Sequence, residues 1–250
     1  MIDVFWTPAS NKSEEDPLWE NLAWFDPEPA FKRIASQRDS DFLKCPVLQD
    51  YYRNTFVIKC PVDLTIQVKD NGHGQKFIQT DRYGDEFYNN FISSDPSINR
   101  TFSMFTLEFN YLFLSKESVI VESIPPQLET NTKDNLDNLR VITGQFDISK
   151  WVRPIFFGAE IKDISKPIIF KRGDPLMYIR FRTTDNKRVN LIRTEFNSDM
   201  KKTVYSCLGL KRYVTNNSMT ENYNLAKYVV QQFKNKFFAK KCPFGFKGKT

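Results

Sequence analysis

Asp147, Glu160, Asp163 and Asp174 fall within one patterned segment, Gly144 to Phe181, and are the residues whose type and spacing come nearest to chemistry. Brought together, they could hold Mg²⁺ through hard oxygen ligands or divide general-acid and general-base work. The same residue types cap turns and strand ends, so both roles stand open. His73 is the single histidine among 250 residues, beside 23 phenylalanines. Histidine is the usual base near neutral pH and the commonest metal ligand. One copy excludes a His-rich metal centre and confines any Ser-His-Asp or Cys-His pair to one place. His73 stands between Gly72 and Gly74 in an expected turn, either as a polar loop residue or as a ligand contact. No cofactor and no resident metal are expected.

Cys45, Cys60, Cys207 and Cys242 are dispersed, with no Cys-x-x-Cys pair. Free, buried thiols are the leading expectation, with a zinc site shared with His73 or a Cys45–Cys60 disulfide as the alternatives.

Charge is unevenly placed. The net formal charge is +6, yet from Lys201 onward there are eleven Lys/Arg and one acid, leaving 25 basic and 29 acidic residues before it. Lys234, Lys236, Lys240 and Lys241 line or follow the last helical pattern, interleaved with Phe233, Phe237, Phe238 and Phe244. This set could contact an acidic partner or nucleic acid, with lysines on phosphates and rings on bases. It could equally be a helix docked by its phenylalanines with its lysines in water. Gly248-Lys249-Thr250 is not a phosphate loop, because Pro243 occupies the first glycine position.

The elements that must position these residues read mainly as strands. Residues 1–44 look irregular, broken by Asp16-Pro17, Asp26-Pro27 and Glu28-Pro29; three tryptophans there suggest an arm laid on a core, with a short helix over Pro17–Phe25. Thr55–Ile58 and Asp63–Val68 alternate polar and apolar residues. Phe105, Leu107, Phe109, Tyr111 and Phe113 share one face of a long strand through Leu114. Val119–Glu122 follows Ser115–Ser118 as a hairpin-like pair. Further strands are expected at Val141–Thr143, Gln145–Asp147, Ile155–Ile161, Ile168–Phe170, Leu176–Phe181 and Val189–Ile192, with Gly173 supplying a positive φ before Pro175. Helices are expected only near the end. One opens at Ser198-Asp199 and stops at Gly209. A longer one opens with the capping box Ser218-x-x-Glu221 and has a dry face of Leu225, Tyr228, Val229, Phe233 and Phe237. The expected fold is mainly β: an antiparallel β-sandwich or jelly-roll, with residues 1–44 as the arm, 45–195 as the core and 196–250 as a basic helical segment, all in one domain.

Two resemblances arise from these segments. Cys45-Pro46 through Cys60-Pro61-Val62-Asp63, Tyr111-Leu112-Phe113, Ile124-Pro125-Pro126, Gly144 to Trp151 and Gly173-Asp174-Pro175 together resemble an uncharacterised domain family of tailed phages, notably marine ones, and of bacteria. That family has no assigned reaction, so the resemblance implies a setting more than an activity. More locally, Gly144-x-x-Asp147, Glu160 and Gly173-Asp174-Pro175-Leu176-Met177 are similar to two segments of trimeric dUTPases, and Phe244-Gly245-Phe246-Lys247-Gly248 is similar to their Gly-rich tail. No Ser-rich phosphate turn precedes the match, and the Asp147–Glu160 interval is long for that family.

The leading expectation is a non-enzymatic binding or assembly protein that associates with a protein partner or itself. The resemblance places it in a virion or host cytoplasm. A small-molecule or nucleotide-binding enzyme using Asp147, Glu160, Asp174 and His73 is the alternative. A nucleic-acid binder using Lys234, Lys236, Lys240, Lys241 and Phe244 is the third. No leader and no apolar run near ~18 residues is evident, so no membrane partner is expected.

Overall fold

The computed structural model describes residues 1–9, 24–37, 41–70, 76–80, 91–94, 104–129, 137–213 and 217–240. The first half contains β1 (Ile2–Pro8), β2 (Glu28–Pro29), α1 (Ala30–Gln37), α2 (Pro46–Tyr52), β3 (Thr55–Lys59), β4 (Leu64–Asp70), β5 (Lys76–Thr80), β6 (Ile92–Ser94), β7 (Met104–Ser115) and β8 (Val119–Ile124). The second half contains β9 (Leu139–Val141), β10 (Gly144–Asp147), β11 (Pro154–Ile161), β12 (Ile168–Phe170), β13 (Pro175–Thr183), β14 (Val189–Arg193), α3 (Ser198–Tyr213) and α4 (Met219–Lys240).

The protein is sheet-rich. One sheet runs β14-β1-β7-β11-β9, with β6 also on β7; a second runs β10-β8-β13-β3-β2; a third runs β12-β4-β5. Pairing among the described strands is antiparallel except for β1 on β14. The odd positions of β7, Phe105 to Phe113, enter one buried cluster to which all three sheets contribute. Phe113 meets Phe181 of the second sheet at 5.4 Å between ring centres, and Phe157 meets Phe170 of the third at 6.0 Å. Each such ring fully buried is worth roughly 1.5–3 kcal/mol. The opposite face of β7 presents Leu112 and Leu114, which join Phe5, Trp151 and the inner residues of α3 and α4 in a second cluster. Sheet one is therefore buried on both faces at this end, and the helices are what cover it.

Several expectations are corrected. Ile2–Pro8 is not irregular; β1 is an interior strand of its sheet, with Val4 and Trp6 in one cluster and Phe5 in the other. Its parallel neighbour β14 lies far along the chain, so no local pattern announces it. Trp24 does pack on the main cluster, and its Nε1 donates to Phe109 O at 2.9 Å; residues 17–23 lie outside the described residues. β7 and β8 are not a hairpin, because they belong to different sheets, and Ser115–Ser118 arches between them. Both strands send residues into the same core from opposite sides, which a hairpin does not allow. Helices also occur early, where α1 buries Ala30 and Ile34. α3 runs through Gly209 to Tyr213. Leu208 and Leu210 pack against the second cluster there, which outweighs glycine's helix penalty of about 1 kcal/mol. Its first turn is capped by Asn197, whose Oδ1 accepts from Met200 N at 3.0 Å, rather than by Ser198.

Among the described residues no helix is long and apolar enough to cross a membrane.

Candidate functional site

Asp147 ends β10 as a buried carboxylate. Its Oδ1 accepts from Ser149 N at 2.9 Å and Ser149 Oγ at 2.7 Å, and its Oδ2 from Ser118 Oγ at 2.6 Å and Lys150 Nζ at 3.0 Å. Four donors fill the acceptor sites of an ionised carboxylate. Burial works against ionisation, but the bonds from Ser118, Ser149 and Lys150 outweigh it and hold the acid below its ordinary range. The backbone N–H of Asp147 donates to Tyr223 OH at 2.8 Å. Asp147 is thus a clasp among the β7–β8 arch, β10 and α4, with no oxygen left for substrate.

The other candidate acids sit apart from it in comparable roles. Glu160 pairs with Arg140 across the β11–β9 register at 3.0 Å. Asp163 caps its own turn through Ser165 N and Oγ. Asp174 accepts from Lys171 N at 2.8 Å in the turn where Gly173 takes φ +90°. Among the described residues no three His, Cys, Asp or Glu side chains are grouped to hold a metal ion. The acid cluster considered from sequence is therefore not assembled. His73, Lys241, Phe244 and the side chain of Lys240 lie outside the described residues.

A buried polar cluster that sequence reading missed joins α1 to the second sheet. Arg33 Nε lies 3.0 Å from both oxygens of Glu129, whose side chain is 0% exposed, and Tyr178 OH donates to Glu129 Oε1 at 3.0 Å. Arg33 and Lys59 also clamp Glu28, at 3.2 and 2.9 Å. α1, β2, β3, β13 and the loop after β8 each supply one of these groups, so no spacing along the chain pointed to them. Cys45, Cys60 and Cys207 are free thiols. Burial pushes Cys60 up to about 12 and Cys207 up to about 11, which leaves neither as a nucleophile near neutral pH.

α4 carries the clearest surface feature. Its capping box forms as expected, with Ser218 N donating to Glu221 Oε2 at 2.7 Å and Glu221 N to Ser218 Oγ at 3.3 Å. Its dry face differs from the expected one: Asn222, Ala226, Val230, Phe233 and Phe237 are buried, while Leu225 and Tyr228 are 49% and 72% exposed. Lys227 and Lys236 share the exposed surface of the helix and have no carboxylate partner among the described residues. Lys234 is different. Its ammonium donates to Lys116 O at 2.8 Å and Ser149 O at 3.3 Å, fixing the helix to the β7–β8 arch and the Asp147 turn. Nearby α3 exposes Tyr205 and, at its end, Tyr213.

No protein-family model, curated protein or solved structure matches this chain.

Proposed function

We propose that the chain is a non-catalytic binding or assembly protein. In this reading the first two sheets pack as a β-sandwich of jelly-roll type, and the helical pair presents the binding face to an acidic surface of a protein partner. The observation that carries it is the outer face of α4. Leu225 and Tyr228 stand exposed one turn apart, exposed Lys227 adjoins Tyr228 in the chain, exposed Lys236 follows about two turns further along the helix, and no acid comes after Glu221. Tyrosine and apolar side chains ringed by charge are the usual make-up of a protein interface. Unpaired lysines attract a surface of opposite sign and raise the rate of encounter. The resemblance to the tailed-phage domain family implies no activity; it is the ground for proposing a particle or an infected host cell as the setting.

The alternatives have less support. A nucleotide enzyme would need Asp147, Glu160 and Asp174 to act on one substrate, and each is engaged in a separate turn or ion pair. A nucleic-acid face would lose Lys234, whose ammonium is held by two carbonyls.

Photo-crosslinking tests the proposal. A benzophenone side chain placed at Tyr228 should capture one discrete acidic protein in the cell that makes the chain, while the same group at exposed Lys171 should not. Adding Leu225→Glu should abolish the capture. Equal capture from both positions, or none from Tyr228, would overturn the proposal.

A further inference from the structure

Arg153 lies in the loop between β10 and β11, at the mouth of an open groove of about 340 Å³. Its guanidinium carbon is 5.5 Å from the centre of the Phe146 ring and 5.7 Å from that of Phe156. Contacts with two rings hold the cation in place. Only Nε has a partner, the carbonyl of Pro154 at 3.4 Å, and no carboxylate comes within ion-pair distance among the described residues. Burial pushes this guanidinium down from its ordinary range, and Glu108 opposes that only from a distance. Arginine nevertheless stays charged in proteins, so a half-buried positive charge stands here without a counter-ion in contact.

The rest of the groove has the character of a small-molecule site. Its walls include Ile142, Phe146, Phe156, Gly158 and Met219, with Gln145 at the polar side. Gln145 Oε1 accepts from Arg182 at 3.3 Å, and its amide N–H donors have no partner among the described residues. Thr106, Ser123 and Thr143 also line the groove, so its walls are mixed in character; small ligands use volumes of a few hundred Å³ that pair apolar walls with placed polar groups. The two Nη atoms offer parallel donors suited to a planar oxyanion. One uncompensated cation with Glu108 in range matches a single negative charge better than a phosphate dianion.

We propose that this groove binds a small molecule carrying one carboxylate on an apolar body, with Arg153 as the anchor of the carboxylate and Ile142, Phe156 and Met219 against the body. This site is separate from the outer face of α4 and does not depend on the protein-partner reading.

The test is a titration of the full chain with phenylacetate, its neutral amide and phenyl phosphate, read by calorimetry and by amide chemical shifts. Phenylacetate should bind and shift amides of residues 144–146 and 155–158, and the amide analogue should bind at least about tenfold more weakly. Arg153→Gln should cost a similar factor, and Arg153→Lys should also weaken binding, because an ammonium cannot make the paired contact. Should Arg153→Gln fail to give a normal thermal transition, Ile142→Glu serves instead; Ile142 is 43% exposed, and an anion there should abolish binding. The Leu225→Glu, Tyr228→Glu chain should bind phenylacetate normally, so loss of the partner face and loss of this site are read separately. No binding in the millimolar range, equal binding of acid and amide, unchanged binding by Arg153→Gln, or tighter binding of phenyl phosphate would overturn the proposal.

Discussion

Ser118 Oγ donates to Asp147 Oδ2 at 2.6 Å, so the arch between β7 and β8 is tied to the end of β10 across 29 residues of sequence. Strand β8 already pairs with β10, and this bond fixes where that pairing ends. Tyr223 and Lys234 then bring α4 onto the same turn. The acid that sequence patterning singles out for chemistry is the one on which the helix is positioned.

Replacing Asp147 by Asn should therefore destabilise the protein by about 1.5–3 kcal/mol, the range for charge-assisted bonds left unmade in a buried place. The acid is held below its ordinary value of 3.8 when folded. Its contribution is thus complete above the unfolded value and is lost as pH falls through the folded one. Urea midpoints of the native chain should fall below about pH 4, and the Asp147→Asn chain should lose part of that dependence. Equal midpoints for the two chains at pH 7 would refute the clasp.

Arg33→Met leaves the carboxylate of Glu129 buried without the Arg33 cation. Breaking a buried pair from one side costs about 3–5 kcal/mol, whereas Tyr178→Phe, which removes one donor from the same acid, should cost about 1 kcal/mol. Denaturant unfolding monitored by tryptophan fluorescence checks both. A larger loss from Tyr178→Phe than from Arg33→Met would contradict the arrangement of this cluster.

Thiol labelling separates the cysteines. Cys45 is half-buried ahead of α2, while Cys60 and Cys207 are sealed and pushed up to about 12 and about 11. Iodoacetamide at mildly alkaline pH should modify Cys45 in the folded protein and reach Cys60 and Cys207 only in denaturant, as read by peptide mass spectrometry. Labelling of Cys60 at the rate of Cys45 would count against the buried placement.

Gly209 lies inside α3 with no atom within 4 Å of where a Cβ would stand. Gly209→Ala should raise stability by about 0.5–1 kcal/mol through the unfolded chain's lost freedom, seen as a higher melting temperature. A lower one would mean that the helix does not continue through this position.

Local periodicity made many of the strands legible, though not β1, β2, β5 or β6, and long-range geometry hid the rest. The two-residue period of Phe105 to Phe113 marked β7 and its core face, Ile168–Phe170 appeared with its bounds intact, and Gly173-Asp174-Pro175 announced a turn. The pairing of β1 with β14 could not be read, because Asp3 and Asn190 are linked over 187 residues. α4 was legible as a helix from Ser218 and Glu221, but its buried side only in part: Phe233 and Phe237 lie on it as expected, Leu225 and Tyr228 do not. Asn222 and the small Ala226 lie on that side, and hydrophobicity alone favours Leu225 and Tyr228. Arg153 gave no signal, since its aromatic neighbours come from β10 and β11 and only the fold closes them around it. For Asp147 the turn-capping role was one of the two read from sequence, but its distant partners were not: Ser118 reaches the carboxylate and Tyr223 the backbone N–H from remote segments.

The most direct measurement is the affinity for the protein captured at Tyr228, compared across two sets of variants. Leu225→Ala, Tyr228→Ala and the Lys227→Glu, Lys236→Glu pair should each weaken binding by about tenfold or more, while Glu160→Gln and Asp174→Asn should leave it unchanged. Unaltered affinity in the first set together with a loss in the second would contradict the placement of binding on the outer face of α4.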